Sequence, residues 1–315
     1  MNNHIEQERS LATEPLSRAE LVAKTNSVLE AYGPRSIDVL RRMVRGGEGR
    51  HVLGSVMNRP EDEELQIDAT GERILSLLVD EHRLPVLFLG EHNRYQYLNR
   101  TGDEPYVVLP NDPFDNSSQY KRGLDTPPYT VLGAYHPDGE PIGAVVGDIK
   151  DRKVYLAIGG QTYVRDLETE ETKPIAKSER KTVLDDNATV ATYLGSNRYS
   201  VPFFDRFKSM IEAMPPKAVL YGGGGAYIYA LLATGAVDAY VMFDEPRTEI
   251  DPGLPLAVVA KCTVVSVNPD GSFEDYRFDP NRHNGNVPFF IAACTPEIRD
   301  EIIGYYLKGS GLQTE

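Results

Sequence analysis

Apolar residues recur at helical intervals along "SRAELVAKTNSVLEAYGPRSIDVLRRMVR", from Ser17 to about Val44, and Ser17 and Glu20 have the spacing of a reciprocal N-terminal cap. This pattern predicts one long helix, or a helix pair broken near Gly33 and Pro34. A second helical pattern covers 69–82, with Ile74, Leu75, Leu77 and Leu78 as its apolar positions. The apolar run "LPVLFLG" that follows reads as a buried strand ending at Glu91. Residues 46–67 mix glycine, proline and charge without sustained period, which predicts a mobile loop or hairpin.

From 127 to 165, short apolar runs separated by "PDGEP" and "KDRK" predict an antiparallel meander. A charged, poorly periodic stretch at 166–181 divides it from an alternating region. That region has expected strands at 188–194, 218–221 and 238–243, and expected helices at 203–213, 225–235 and near 253–260. The strand "VPFFIAAC" and a helix over 296–307 close the pattern. Blocks of alternating helix and strand predict an α/β (α+β) protein with layered elements and a mixed sheet. The expected division is a flexible arm at 1–16, an α+β half at 17–181 and an α/β half at 182–315.

The chain has 315 residues, enough for one or two domains with a sizeable core. Its 33 basic and 47 acidic residues give a net charge of −14, which opposes binding to nucleic acid polymers or anionic membranes. An anionic ligand would have to meet local positive charge. Cys262 and Cys294 have no metal-site or disulfide spacing and are expected to be core thiols in a reducing compartment. The polar N-terminus and the lack of an apolar run near membrane-spanning length predict a cytoplasmic protein.

Candidate chemistry concentrates in "PNDPFDNSSQYKRG", residues 110–123. Asp112 and Asp115 flank Pro113, whose fixed φ helps to hold a turn that could aim both carboxylates at one divalent cation. Asn116, Ser117 and Ser118 read as a helix start, whose backbone N–H groups favour a phosphate. An Asx turn with a helix cap fits the same residues. Further acidic residues stand at expected element ends: Asp68, Glu91 and Asp251. The "YGGGGAYIY" run at 221–229 lacks the Lys-Ser/Thr of a nucleotide loop and has Tyr227 where a dinucleotide motif needs its last glycine.

In the order Asp68, Glu91, Asp112, Asp115, Asp251, the acidic set resembles that of the magnesium-dependent, lithium-sensitive phosphatases: inositol monophosphatases, fructose-1,6-bisphosphatases and adenosine-3′,5′-bisphosphate phosphatases. "GEH" at 90–92 stands where that superfamily has GEE, "DPFDNS" at 112–117 where it has DPxDGT/S, and "ID" at 250–251 where it has WD. His92, Asn116 and Ile250 are thus departures. The resemblance runs from about residue 17 to 307 and implies a layered αβαβα sandwich.

It also implies two or three Mg2+ ions held by Glu91, Asp112, Asp115, Asp251 and the carbonyl of Phe114. Asp68 and Glu91 would then activate a water that Ser117 orients. Asn116, Ser117, Ser118, Gly223, Gly224 and Asp244 are the candidate substrate contacts. The expected activity is hydrolysis of a small phosphate monoester, with an inositol or sugar phosphate favoured, by a homodimer. A bisphosphatase and a non-catalytic binding protein of the same fold stand as alternatives.

Overall fold

The computed structural model describes residues 16–56, 59–90, 95–100 and 102–311. The expected N-terminal arm therefore lies almost wholly outside the described residues. Helix α1 (Arg18–Gly46) starts on the cap that the sequence suggests: the Ser17 N–H donates to Glu20 Oε2 at 2.8 Å, and the Ser17 hydroxyl accepts from the Glu20 N–H at 3.3 Å. It runs unbroken through Pro34, so the helix-pair alternative does not apply. Gly33 faces the sheet, and a Cβ there would sit 2.7 Å from Val154 Cγ1. Small size, not helix termination, is its role. Ser17→Ala is expected to lower stability by about 1 kcal/mol, the usual worth of such a cap, read as a shifted urea-unfolding midpoint at constant slope.

After α1 come the antiparallel hairpin β1 (Val52–Val56) and β2 (Arg59–Leu65), helix α2 (Gln66–His82), and strands β3 (Val86–Gly90), β4 (Tyr95–Leu98) and β5 (Val107–Asp115). Residues 46–67 thus contain a hairpin. The five-residue helix α3 (Ser117–Lys121) leads into the meander β6 (Tyr129–Tyr135), β7 (Pro141–Asp148), β8 (Lys153–Ile158), β9 (Gln161–Asp166) and β10 (Thr172–Pro174). The second half holds β11 (Thr189–Ala191), α4 (Asn197–Ala213), β12 (Val219–Tyr221), α5 (Ile228–Ala233), β13 (Ala239–Pro246), α6 (Arg247–Ile250) and α7 (Leu254–Val259). Strands β14 (Thr263–Val267), β15 (Phe273–Asp275) and β16 (Asn286–Ala293) precede α8 (Pro296–Gly309). Helix α4 begins six residues before the expected start, where the Ser196 hydroxyl accepts from the Arg198 N–H at 3.3 Å.

Among the described residues the strands form two main sheets, ordered β10-β9-β8-β7-β6-β5-β3-β4 and β12-β11-β13-β16-β14-β15. Side-chain alternation assigns each sheet two faces. On the large sheet, Val86, Phe88, Val107 and Leu109 pack with Leu29 and Leu78 of α1 and α2. Their neighbours Leu87, Leu89 and Val108 turn to the opposite core, shared with α5, α7 and the inner face of the small sheet through Tyr240 and Met242. Ala239 and Val241 face outward onto α4 and α8, through Phe207 and Ile302. The result is five layers, αβαβα, with a mostly buried middle. Cys262 and Cys294 form no disulfide. No described helix is long and apolar enough to cross a membrane.

Candidate active site

The carboxylate pair lies on a strand, not on a simple turn. Strand β5 pairs with β6 through Asp112↔Val131 and Asp115↔Tyr129, so three steps on β5 oppose two on β6. In a regular strand, residues three apart point to opposite faces; the extra residue of this bulge brings Asp112 and Asp115 to the same side. Pro113 fits there because a bulge frees the chain from the ladder hydrogen bond that proline cannot make. Helix α2 presses on this point: a Cβ at Gly71 would lie 2.7 Å from Pro113 Cβ. Asn116 follows with φ 74°, a left-handed conformation that asparagine tolerates, and its side-chain amide donates to the Pro127 carbonyl at 3.1 Å. α3 starts at the next residue.

The third converging carboxylate belongs to Glu249 on α6. Carboxylate oxygens of Asp112, Asp115 and Glu249 all lie within 4.8 Å of one another, with both aspartates buried. Asp251, the expected late ligand, is placed elsewhere. It is fully buried, with Oδ2 2.7 Å from His283 Nδ1 and Oδ1 accepting from the Tyr276 hydroxyl at 2.6 Å. Burial and the Asp251 charge hold the Tyr276 phenol well above its usual range, so it remains the donor. On α6, two residues of advance turn a side chain roughly 200° around the axis, which separates the cleft-facing Glu249 from the inward Asp251.

The glycine loop before α5 closes the site from the small-sheet side. The Asp115 Oδ2 accepts from the Tyr227 N–H at 2.8 Å. Gly225 has φ 126°, and a Cβ there would lie 2.5 Å from Asp115 Oδ1. Only glycine serves at this position, for conformation and for space alike. The Gly225 N–H donates to the Tyr240 hydroxyl at 3.2 Å, and that hydroxyl donates to Glu245 Oε1 at 2.7 Å. Burial first, and the Glu245 charge second, push the Tyr240 phenol well above its usual range.

Around the three carboxylates is a cleft of about 360 Å³. Asn116, Ser117 and Ser118 line it on one side, Gly224 and Gly225 on another, and Tyr193, Tyr199 and Met242 form a wall. Phe114 also borders it, although its ring is buried against Tyr120 at 5.3 Å. Glu63 from the β2 hairpin reaches the rim and pairs with Lys121.

Besides Asp251, three further expected site residues stand apart from this lining. Asp68 is fully buried at the start of α2, where Oδ2 accepts from the Leu65 N–H at 2.7 Å. Gly223 backs the loop against Tyr221 and Tyr227, and Asp244 pairs with Arg198 and accepts from the Asn286 amide at 2.9 Å. Glu91 and His92 lie outside the described residues. Nothing local in the sequence marks Gly225, Tyr240 or Glu245, and Glu249 reads there as a loop acid near Asp251 that could meet substrate hydroxyls.

The chemistry of the donor set fits a hard divalent cation. Three carboxylates set this close favour a shared positive partner, and an all-oxygen set with room for water suits Mg2+ or Ca2+ better than a soft metal.

No protein-family profile and no curated protein matches the chain. Solved structures do. Mycobacterium tuberculosis SuhB is similar over 92% of this chain and 98% of its own, with a TM-score of 0.63 at 18% identity. A Thermotoga maritima IMPase is similar over 91% and 97%, with a TM-score of 0.64 at 17% identity. A calcium-bound IMPase family protein from Staphylococcus aureus is similar over 91% and 95%, with a TM-score of 0.65 at 13% identity. The five-layer chain therefore shares the fold of these IMPase and SuhB structures. The expected αβαβα sandwich is the observed one.

Proposed function

We propose that the protein is a Mg2+-dependent phosphatase that hydrolyses a small phosphate monoester. The observation that carries this reading is the convergence of Asp112, Asp115 and Glu249 in a cleft whose lining includes the two serines that begin α3. Asp112, Asp115 and Glu249 would hold the metal, joined by Glu91 immediately after β3 and by the Phe114 carbonyl. Bound there, Mg2+ supplies a Lewis acid for the phosphoryl oxygens and lowers the pKa of a coordinated water. The Ser117 hydroxyl, two residues past Asp115 and in the same cleft lining, would orient the attacking water. The backbone at Ser117 and Ser118 receives the phosphoryl oxygens, and the loop glycines leave space for the alcohol. Asp68 supports this arrangement from the α2 start by holding the backbone at Leu65, a residue of the cleft lining.

The wall of Tyr193, Tyr199 and Met242 gives the alcohol side an apolar and aromatic surface. A calcium-bound state of one protein with this fold and the cleft volume agree with a small anionic ester held through a cation. A cytoplasmic homodimer belongs to the same proposal. The test is phosphate release from a panel of inositol, sugar and nucleotide monophosphates and sugar and nucleotide bisphosphates, with Mg2+ and with EDTA. The expected result is release with Mg2+ and none with EDTA, strongest for a monophosphate. A chelator-insensitive rate would sink the reading, and a preference for bisphosphates would move it to the bisphosphatase alternative.

A further inference from the structure

Glu249 sits in a four-residue helix that has too few internal hydrogen bonds to fix its own direction. Asp251, two residues on, fastens the segment instead. Its carboxylate is bound by Tyr276 and His283 as described, and its carbonyl accepts from the Tyr135 hydroxyl at 2.6 Å. The Tyr276 hydroxyl also accepts from Arg247 Nη1 at 3.0 Å, and the Arg247 N–H donates to the Gly285 carbonyl at 2.9 Å. On β6, Gly133 lets the segment come close: a Cβ there would lie 2.9 Å from the Asp251 carbonyl oxygen and 2.8 Å from that of Pro252. Residues 247–251 are thus tied at both ends, to the chain leading from β15, to the turn at 282–285 and to β6.

Desolvating a carboxylate so completely is costly, and apolar residues could have filled the same volume. What an apolar residue could not do is fix direction, since dispersion contacts are not directional and charge-assisted hydrogen bonds are. We propose that Asp251, with Tyr276 and His283, forms the positioning set for Glu249, holding the α6 turn so that the Glu249 carboxylate meets Asp112 and Asp115. The inference rests on the metal-site reading above. Partners that orient a metal ligand without touching the metal commonly control affinity by about 10–100-fold.

The test uses the full chain and Mn2+ as the probe, with its dissociation constant measured from the electron paramagnetic resonance signal of the free ion, so that no turnover is needed. Four variants are compared: Glu249→Gln, Asp251→Asn, Tyr276→Phe and Ile302→Val, the last a truncation in the distant α8 core. Expected are weaker Mn2+ binding by Glu249→Gln, at least ~10-fold weaker binding by Asp251→Asn and Tyr276→Phe, and parental binding by Ile302→Val despite a lower unfolding temperature. Parental affinity in both Asp251→Asn and Tyr276→Phe, with Glu249→Gln weakened, overturns the positioning role alone. Parental affinity in Glu249→Gln removes the metal site and the inference with it. Weakened binding in Ile302→Val would mean general loosening and would also overturn it. If Asp251→Asn does not fold, Tyr276→Phe, which deletes a single hydroxyl, decides.

Discussion

Replacing Asp115 by asparagine is expected to cut Mg2+-dependent phosphate release by at least ~100-fold while the unfolding midpoint stays near that of the parent. The two side chains have the same shape, and the amide oxygen can still accept from the Tyr227 N–H, which lies 2.8 Å from Asp115 Oδ2. What is lost is one of three negative charges and one strong oxygen donor at the point where the carboxylates meet. Loss of activity with retained folding would therefore report the site itself. Initial rates of the purified variant at saturating Mg2+ decide it, and a parental rate would remove Asp115 from the metal site.

Gly225→Ala is expected to damage both activity and stability. At φ 126° an added Cβ would stand 2.5 Å from Asp115 Oδ1 and 2.8 Å from Oδ2, so either the carboxylate or the loop must move. Backbone strain of this kind costs about 1–3 kcal/mol, and a displaced Asp115 would bring the rate down with it. Gly159 supplies the control. It also has positive φ, at 61°, but open space around its missing side chain. Gly159→Ala should lose stability in a thermal melt and keep the catalytic rate; a Gly225→Ala enzyme that did the same would show that the close approach to Asp115 is immaterial.

Much of the layering was legible in the sequence because buried strands and amphipathic helices leave strong periodic traces. "VLFLG" can alternate between two cores only if both faces are covered, and it is covered on both. Strands β4 and β15 left no such trace: "YQYL" and "FED" lie at sheet edges with mostly exposed side chains, so no run of buried apolar residues marks them. The Asp112 and Asp115 pair was legible as chemistry, but the bulge that aligns the two depends on their register with β6.

The choice between Glu249 and Asp251 could not be made locally. Both are acidic and share one turn, and what turns Asp251 inward is Tyr276 and His283, which come from later in the chain. In the same way, nothing in "GGGG" singles out the fourth glycine; its φ and its distance from Asp115 do.

The three converging carboxylates come from opposite sides of the central layer, two on β5 of the large sheet and one on α6 after β13 of the small sheet. That split has a consequence in time. At a synthesis rate of 5–20 residues per second, the roughly 130 residues between Asp115 and Glu249 separate their emergence from the ribosome by several seconds to about half a minute. The first sheet can form around Asp112 and Asp115 in that interval, but the three-carboxylate cluster cannot, because its last member has not been made. A nascent or truncated chain that stops short of α6 therefore carries the serine-rich helix start and two of the acids without the third, and the proposed chemistry would have to wait until both sheets have docked.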